Sequence, residues 1–108
     1  MRILHRGVIA LTLVTAAASH AHATEASYSC GSGIELTAIF SAVGANPAQV
    51  ELLFAGEDGD TVLPQVLSAD GGRYADANTE FWIKGNSATL TRSGKSETCE
   101  VKPTGKAN

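Results

Sequence analysis

The sequence predicts an all-β fold: roughly eight short strands forming a barrel or a sandwich, with a closed barrel favoured. Three observations carry this expectation. Apolar residues alternate at period two from Tyr28 through Phe40, and glycine-bearing turns punctuate the rest of the chain. No segment shows a convincing 3.6-residue period. Two cysteines, Cys30 and Cys99, stand near the two ends of the domain. A bridge between them would bring the first and last strands together, which suits a closed barrel better than an open sheet. With 108 residues, 44% apolar and 18% charged, the chain is long enough for one small domain and too apolar to be disordered.

The first residues stand apart from the rest. Arg2 and Arg6 precede a short apolar run from Gly7 to Ala18, and Ala21-His22-Ala23 offers a small-residue cleavage site. This is the pattern of a secretory signal peptide over residues 1–23, cleaved to leave a domain of residues 24–108. The run is too short for a comfortable membrane span. No cysteine stands at the cleavage site to accept a lipid, and Cys30 comes seven residues too late. The expectation is therefore a soluble exported protein with no membrane anchor. In such a compartment an even cysteine pair reads as a structural disulfide, Cys30–Cys99.

The strands follow in order. Tyr28, Cys30, Ile34, Leu36, Ala38 and Phe40 share one parity, with Glu35 and Thr37 on the other, which predicts strands over 26–30 and 34–40. Val43 to Pro47, with Gly44 and Asn46, reads as a turn before a strand over 49–54. A polar loop from Gly56 to Asp60 leads into 61–67, where Pro64 cannot donate to a ladder. That strand is expected to lie at an edge, or to be broken or bulged at Pro64. Asp70-Gly71-Gly72 is a strong turn signal ahead of a short strand over 72–76. The aromatic-rich segment 79–84 meets 87–92 through Gly85-Asn86, a two-residue hairpin turn. Ser93-Gly94 turns again into 96–101, which carries Cys99, and the tail after Pro103 is polar. Eight short strands enclose a space that side chains fill, so a large ligand cavity is not expected.

Removing Arg2 and Arg6 leaves six basic residues against eleven acidic ones, a net charge of −5. That sign gives a nucleic-acid role little electrostatic support. His5, His20 and His22 all fall in the signal peptide, so the exported domain has no histidine. Ser-His and Cys-His nucleophile pairs and histidine metal sites are thereby excluded, and two cysteines cannot complete a structural zinc site. Glu57, Asp58 and Asp60 around Gly59 lack the twelve-residue ligand pattern of a calcium loop and read as a solvated turn. The sequence thus points away from an enzyme, a metal site or a cofactor. The rival readings are a small periplasmic ligand-binding barrel, an unusual hydrolase, or a structural or adhesive envelope protein; nothing decides between monomer and homodimer.

Two stretches look like a site. Leu63 to Tyr74 places a polar, glycine-bearing loop between two strands, and Phe81 to Leu90 ends an aromatic strand with Lys84 just before a glycine turn. On spacing alone these are ordinary hairpins. Taken together with Tyr28-Ser29-Cys30 and Cys99, however, the segments Asp70-Gly71-Gly72-Arg73-Tyr74, Trp82-Ile83-Lys84-Gly85 and Ala88-Thr89-Leu90 form an ordered set. In this the chain resembles the inhibitors of c-type lysozyme found in the envelope of Gram-negative bacteria, whose marks are an early Tyr-x-Cys, an S-G-x-x-Y loop, a W-x-K-G segment followed by A-x-L, and a late Cys.

The resemblance implies an eight-stranded antiparallel barrel that binds c-type lysozyme and is not itself an enzyme. In the family the first-motif loop enters the lysozyme cleft, and the motif Ser and Lys approach the two catalytic carboxylates. Carried over, the Lys is Lys84 and the loop is 68–74, with Ser68, Asp70, Gly71, Arg73 and Tyr74 as the binding residues. Trp82 is expected in the core, although it shares a strand face with Lys84 unless the strand is bulged. The lack of a cysteine at the cleavage site resembles the periplasmic branch, not the lipoprotein branch. One departure stands out: Asp70 occupies the place of the family's Ser. Three arrangements would accommodate it. The lysozyme general acid, with its raised pKa of about 6, could be protonated and donate a hydrogen bond to Asp70; Ser68 could supply the hydroxyl; or Asp70 could turn aside to pair with Arg73.

Overall fold

A computed structural model of the chain describes residues 23–103, together with Gly7, Ala10 and Thr12. The expected signal peptide lies almost wholly outside the described residues. Eight strands follow one another: β1 (Thr24–Cys30), β2 (Glu35–Phe40), β3 (Gln49–Phe54), β4 (Thr61–Val66), β5 (Gly72–Ala75), β6 (Thr79–Lys84), β7 (Ser87–Arg92) and β8 (Lys95–Val101). The largest departure from the expected bounds is at β1. It begins at Thr24 because Thr24 already faces Phe40 across the β1–β2 ladder. Each strand pairs antiparallel with the next, and β8 returns to β1, so the barrel is closed.

The period-two reading of the apolar residues holds through the barrel. Leu36 and Ala38 on β2, Val50, Leu52 and Phe54 on β3, Leu63 on β4, Phe81 on β6, and Ala88 and Leu90 on β7 all point inward and are buried. Ile34 and Phe40, at the two ends of their run, are only partly buried against this core. Tyr28 meets Phe81 edge to face, with ring centres 5.1 Å apart, so the first strand and the sixth touch across the interior. The interior is thus filled by side chains.

Closure is short at two seams. Between β1 and β8, Tyr28 faces Val101, Ser29 faces Glu100 and Cys30 faces Cys99, and the two cysteines form the disulfide. Between β4 and β5, Gln65 faces Tyr74 and Val66 faces Arg73.

The second seam corrects the expectation for Pro64. β4 is not an edge, because it lies within the closed ladder with Pro64 opposite Gln49 of β3. The Gln65 N–H donates to the Ala48 carbonyl on the β3 side. Alternation then points the Pro64 nitrogen towards β5, where pairing begins only at Gln65. The missing donor sits where the ladder has nothing to receive it.

Up-and-down connectivity sends alternate connections to the same end. The loops 41–48 and 67–71 and the turn 85–86 therefore share one mouth of the barrel. At the other mouth, Arg92 donates to both carboxylate oxygens of Glu57 at 3.0 and 3.2 Å, and its guanidinium lies 4.0 Å from the Phe54 ring centre. Glu57 is thus an ion-pair partner, in keeping with a solvated turn at 56–60.

Candidate functional site

Two adjacent elements build the site: the β4–β5 loop and the end of β6. On β6, Phe81 points inward and Ile83 packs partly against the core, so alternation turns Glu80, Trp82 and Lys84 outward. On β5 the same rule sends Tyr74 inward and Arg73 outward. Register then assembles the outer face, because Arg73 lies directly opposite Trp82 and Gly72 opposite Ile83.

The loop is tied internally and to β6. The Ser68 hydroxyl donates to the Asp70 carbonyl at 2.7 Å and accepts from the Asp70 N–H at 3.1 Å. The same carbonyl accepts the Trp82 indole N–H at 2.7 Å. Gly71 follows with φ of +71°, and a Cβ at this position would run into the Ile83 carbonyl oxygen and come within 3.5 Å of Lys84 Cγ. The loop backbone therefore lies against β6 in a way only glycine permits.

The neighbouring Gly72 provides a contrast. Its φ is outside the left-handed region, and the nearest atoms to a Cβ there would be those of the Tyr74 side chain, from 3.3 Å. Gly71→Ala is expected to lower the unfolding free energy by at least about 2 kcal/mol through left-handed strain and the backbone clash. Gly72→Ala is expected to cost less than about 1 kcal/mol. Urea denaturation of the two variants side by side checks this, and equal losses would show that Gly71 is not specially constrained.

Charged side chains stand on the loop and around it. Arg73 Nε donates to Glu80 at 2.6 Å, and its guanidinium sits 5.1 Å from the Trp82 ring centre. Lys84 is exposed, with its ammonium 4.5 Å from the same ring centre, and among the described residues it has no carboxylate partner. Asp70 is exposed at the loop tip.

The structure therefore brings Ser68, Asp70, Gly71, Arg73 and Lys84 together on one outer face. Tyr74 does not join them. Its ring faces the barrel mouth, 5.7 Å from that of Phe40, and burial raises its phenol pKa above the ordinary value. One of the arrangements envisaged for Asp70 is not what the chain adopts, because Arg73 holds Glu80 instead of Asp70; in the free chain the Ser68 hydroxyl bonds within the loop.

Trp82 is not a core residue. It is half-buried on the outer face and forms the centre of the cluster. The sequence held the signal for this, since an exposed lysine two residues along the same unbulged strand places the tryptophan on the same side.

Comparison with known proteins follows this geometry. The family model described as membrane-bound lysozyme-inhibitor of c-type lysozyme matches residues 28–98. No curated protein matches the chain. Among solved structures, the chain is similar to Pseudomonas aeruginosa MliC, crystallised in complex with hen egg white lysozyme. The TM-score is 0.61 and the identity 23%, covering 74% of this chain and 82% of that one. At that identity the likeness establishes the shared barrel.

Proposed function

The chain belongs to the family of membrane-bound lysozyme-inhibitors of c-type lysozyme, and from that premise we propose that it inhibits a c-type lysozyme by placing the loop 68–74 and Lys84 in the active-site cleft. One observation carries the reading: Lys84 offers an ammonium with no carboxylate partner among the described residues, against a loop that backbone contacts hold in place. A lysozyme cleft supplies an ionised catalytic carboxylate for that cation and, beside it, a general acid with a raised pKa of about 6. An ammonium between them occupies the space of the substrate and replaces lost hydration with a charge-assisted contact. An exported domain with a net charge of −5 would also be steered towards a basic lysozyme, raising the association rate in a way that salt suppresses. The residues proposed to meet the enzyme are Ser68, Asp70, Gly71, Arg73 and Lys84, with Tyr74 supporting the loop from within. The family places this activity in the cell envelope, and the signal-peptide pattern without a nearby cysteine favours a periplasmic protein with no lipid anchor.

Asp70 adds a pH dependence of its own. Its carboxylate is exposed at the loop tip, so in the cleft it would face the enzyme's general acid. With that acid protonated, the pair forms a hydrogen bond; with both ionised, they repel. Because the acid titrates near about pH 6 and Lys84 attracts its ionised form, the part due to Asp70 is read by difference: the affinity of the parent relative to Asp70→Ser is expected to fall as pH rises through that value and to level off where the acid is fully ionised. Dissociation constants of both proteins from pH 5 to 8 check this, and parallel profiles would remove Asp70 from the contact.

The direct test of function is the lysis of bacterial cell walls by a c-type lysozyme with purified residues 24–108 added in increasing amounts. Inhibition at stoichiometric levels is the expected result; no inhibition by the folded protein across pH 5 to 8 at low salt would overturn the reading. The rival small-molecule reading needs an apolar cleft or cavity with a few convergent polar groups. Phe81, Leu52, Leu63, Leu90 and Val50 fill the barrel axis, and the apolar groove of about 450 Å³ beside Tyr74 and Phe40 lies at the mouth of the barrel.

A further inference from the structure

We propose that Trp82 is the positioning residue of this site, joining the loop to Lys84 so that both are presented in binding geometry before the enzyme arrives; this rests on the lysozyme reading above. The indole makes two separate attachments. Its N–H holds the Asp70 carbonyl at 2.7 Å, fixing the loop tip from β6, and its ring carries the Lys84 ammonium at 4.5 Å from the centre. The first attachment matters because the β4–β5 ladder is short, with pairing confined to Gln65–Tyr74 and Val66–Arg73. A hairpin so weakly zipped does not hold its own tip. Its placement comes from β6, through the Trp82 N–H and the close approach of Gly71 to Ile83.

The second attachment matters because a lysine has four freely rotating side-chain bonds. Ordering such a side chain on binding is a cost that a ring already holding the cation reduces. Arg73 reinforces the arrangement: directly opposite on β5, it brings its guanidinium to 5.1 Å from the ring centre while Glu80 neutralises it. The ring therefore contacts a compensated cation and an uncompensated one, and among the described residues the second has no carboxylate partner and can meet an incoming one.

Removing the ring is expected to weaken binding without removing any group that touches the lysozyme carboxylates. Two variants separate the attachments: Trp82→Phe keeps a ring and deletes the N–H, and Trp82→Leu deletes both. Inhibition and dissociation rates against a c-type lysozyme are measured for the parent, both variants, and each in a Lys84→Ala background, alongside thermal melting. The Lys84 ε-methylene proton shifts are measured by NMR in the free proteins. The expected result is at least a tenfold loss for Trp82→Leu, a smaller loss for Trp82→Phe, and no more than a threefold further loss once Lys84 is already alanine. The Lys84 protons should be shifted upfield by the ring in the parent and lie at random-coil positions in Trp82→Leu.

The NMR reading on the parent does not depend on any variant folding. Random-coil Lys84 shifts in the parent overturn the inference. So does parent-like inhibition by Trp82→Leu, or an equal loss in both Lys84 backgrounds. A parent that fails to inhibit overturns the lysozyme reading and the positioning role with it, whereas an inhibiting parent with an indifferent Trp82 overturns the positioning role alone.

Discussion

Lys84→Ala is expected to abolish most lysozyme inhibition while leaving the barrel folded. Truncating one partner of a buried, hydrogen-bonded charge pair typically costs about 2–5 kcal/mol, or roughly 30-fold to several thousand-fold in affinity. The loss belongs to the complex, where the ionised catalytic carboxylate would be left without its cation. In the free protein Lys84 is exposed at the end of β6, and among the described residues its ammonium meets the Trp82 ring and no carboxylate, so the change in folding stability should stay within about 1 kcal/mol. The control is Lys95→Ala. Lys95 opens β8 opposite Arg92, at the mouth of the barrel away from the loop 67–71. Both variants change the net charge by one unit, so any difference between them is local and not due to steering. Inhibition assays and circular dichroism on the pair decide the matter. Equal inhibition by Lys84→Ala and the parent would leave the lysozyme reading standing and move the anchor elsewhere.

The fold was legible because a sheet with one buried face writes its parity into the sequence. Leu36, Val50, Ala88 and Leu90 stand between polar neighbours, Ala38 and Leu52 have one polar neighbour each, and all six are inward. The glycine turns supplied the punctuation, and the cysteines supplied the closure. Pro64 was read less well because a proline shows only that a donor is missing. Which side that nitrogen faces, and where the neighbouring ladder stops, depend on register.

The residues proposed for the site were legible in the sequence, but the contacts among them were not. Ser68, Asp70, Gly71, Arg73 and Lys84 do gather on one face. Their links run through Trp82 and Glu80, which pattern alone did not single out. An aromatic residue is assigned inward by its hydrophobicity, and here the parity of β6 overrides that assignment. The Arg73–Glu80 ion pair is a diagonal across β5 and β6, visible only once Arg73 is known to face Trp82. The Asp70 carbonyl, which ties the loop down, is a backbone group and leaves no mark on residue type.

Removing the disulfide should have the largest effect on stability. Cys30 and Cys99 close a loop of 69 residues in sequence separation. The chain-entropy model assigns a crosslink of that span about 4 kcal/mol, acting by restricting the unfolded chain. Small domains have only about 5–15 kcal/mol of stability in total, so the Cys30→Ala/Cys99→Ala double variant should remain folded at 25 °C but melt far earlier. Alanine is the informative replacement because both cysteines are buried, and serine would add the cost of hydroxyls without partners.

The seam sharpens the expectation. β1 and β8 pair only from Tyr28–Val101 to Cys30–Cys99, with the Lys102 N–H donating to the Ser27 carbonyl just beyond. So short a ladder closes the barrel weakly by itself. Urea midpoints of the parent and the double variant measure the difference; a loss below about 1 kcal/mol would mean that the ladder, and not the covalent bond, closes the ring. Inhibition should follow a different course. The site rests on β4–β6, across the barrel from the seam, and its ties run from β6 to the loop. Whatever fraction of the double variant is folded should therefore inhibit as the parent does, so that stability and inhibition separate in one protein.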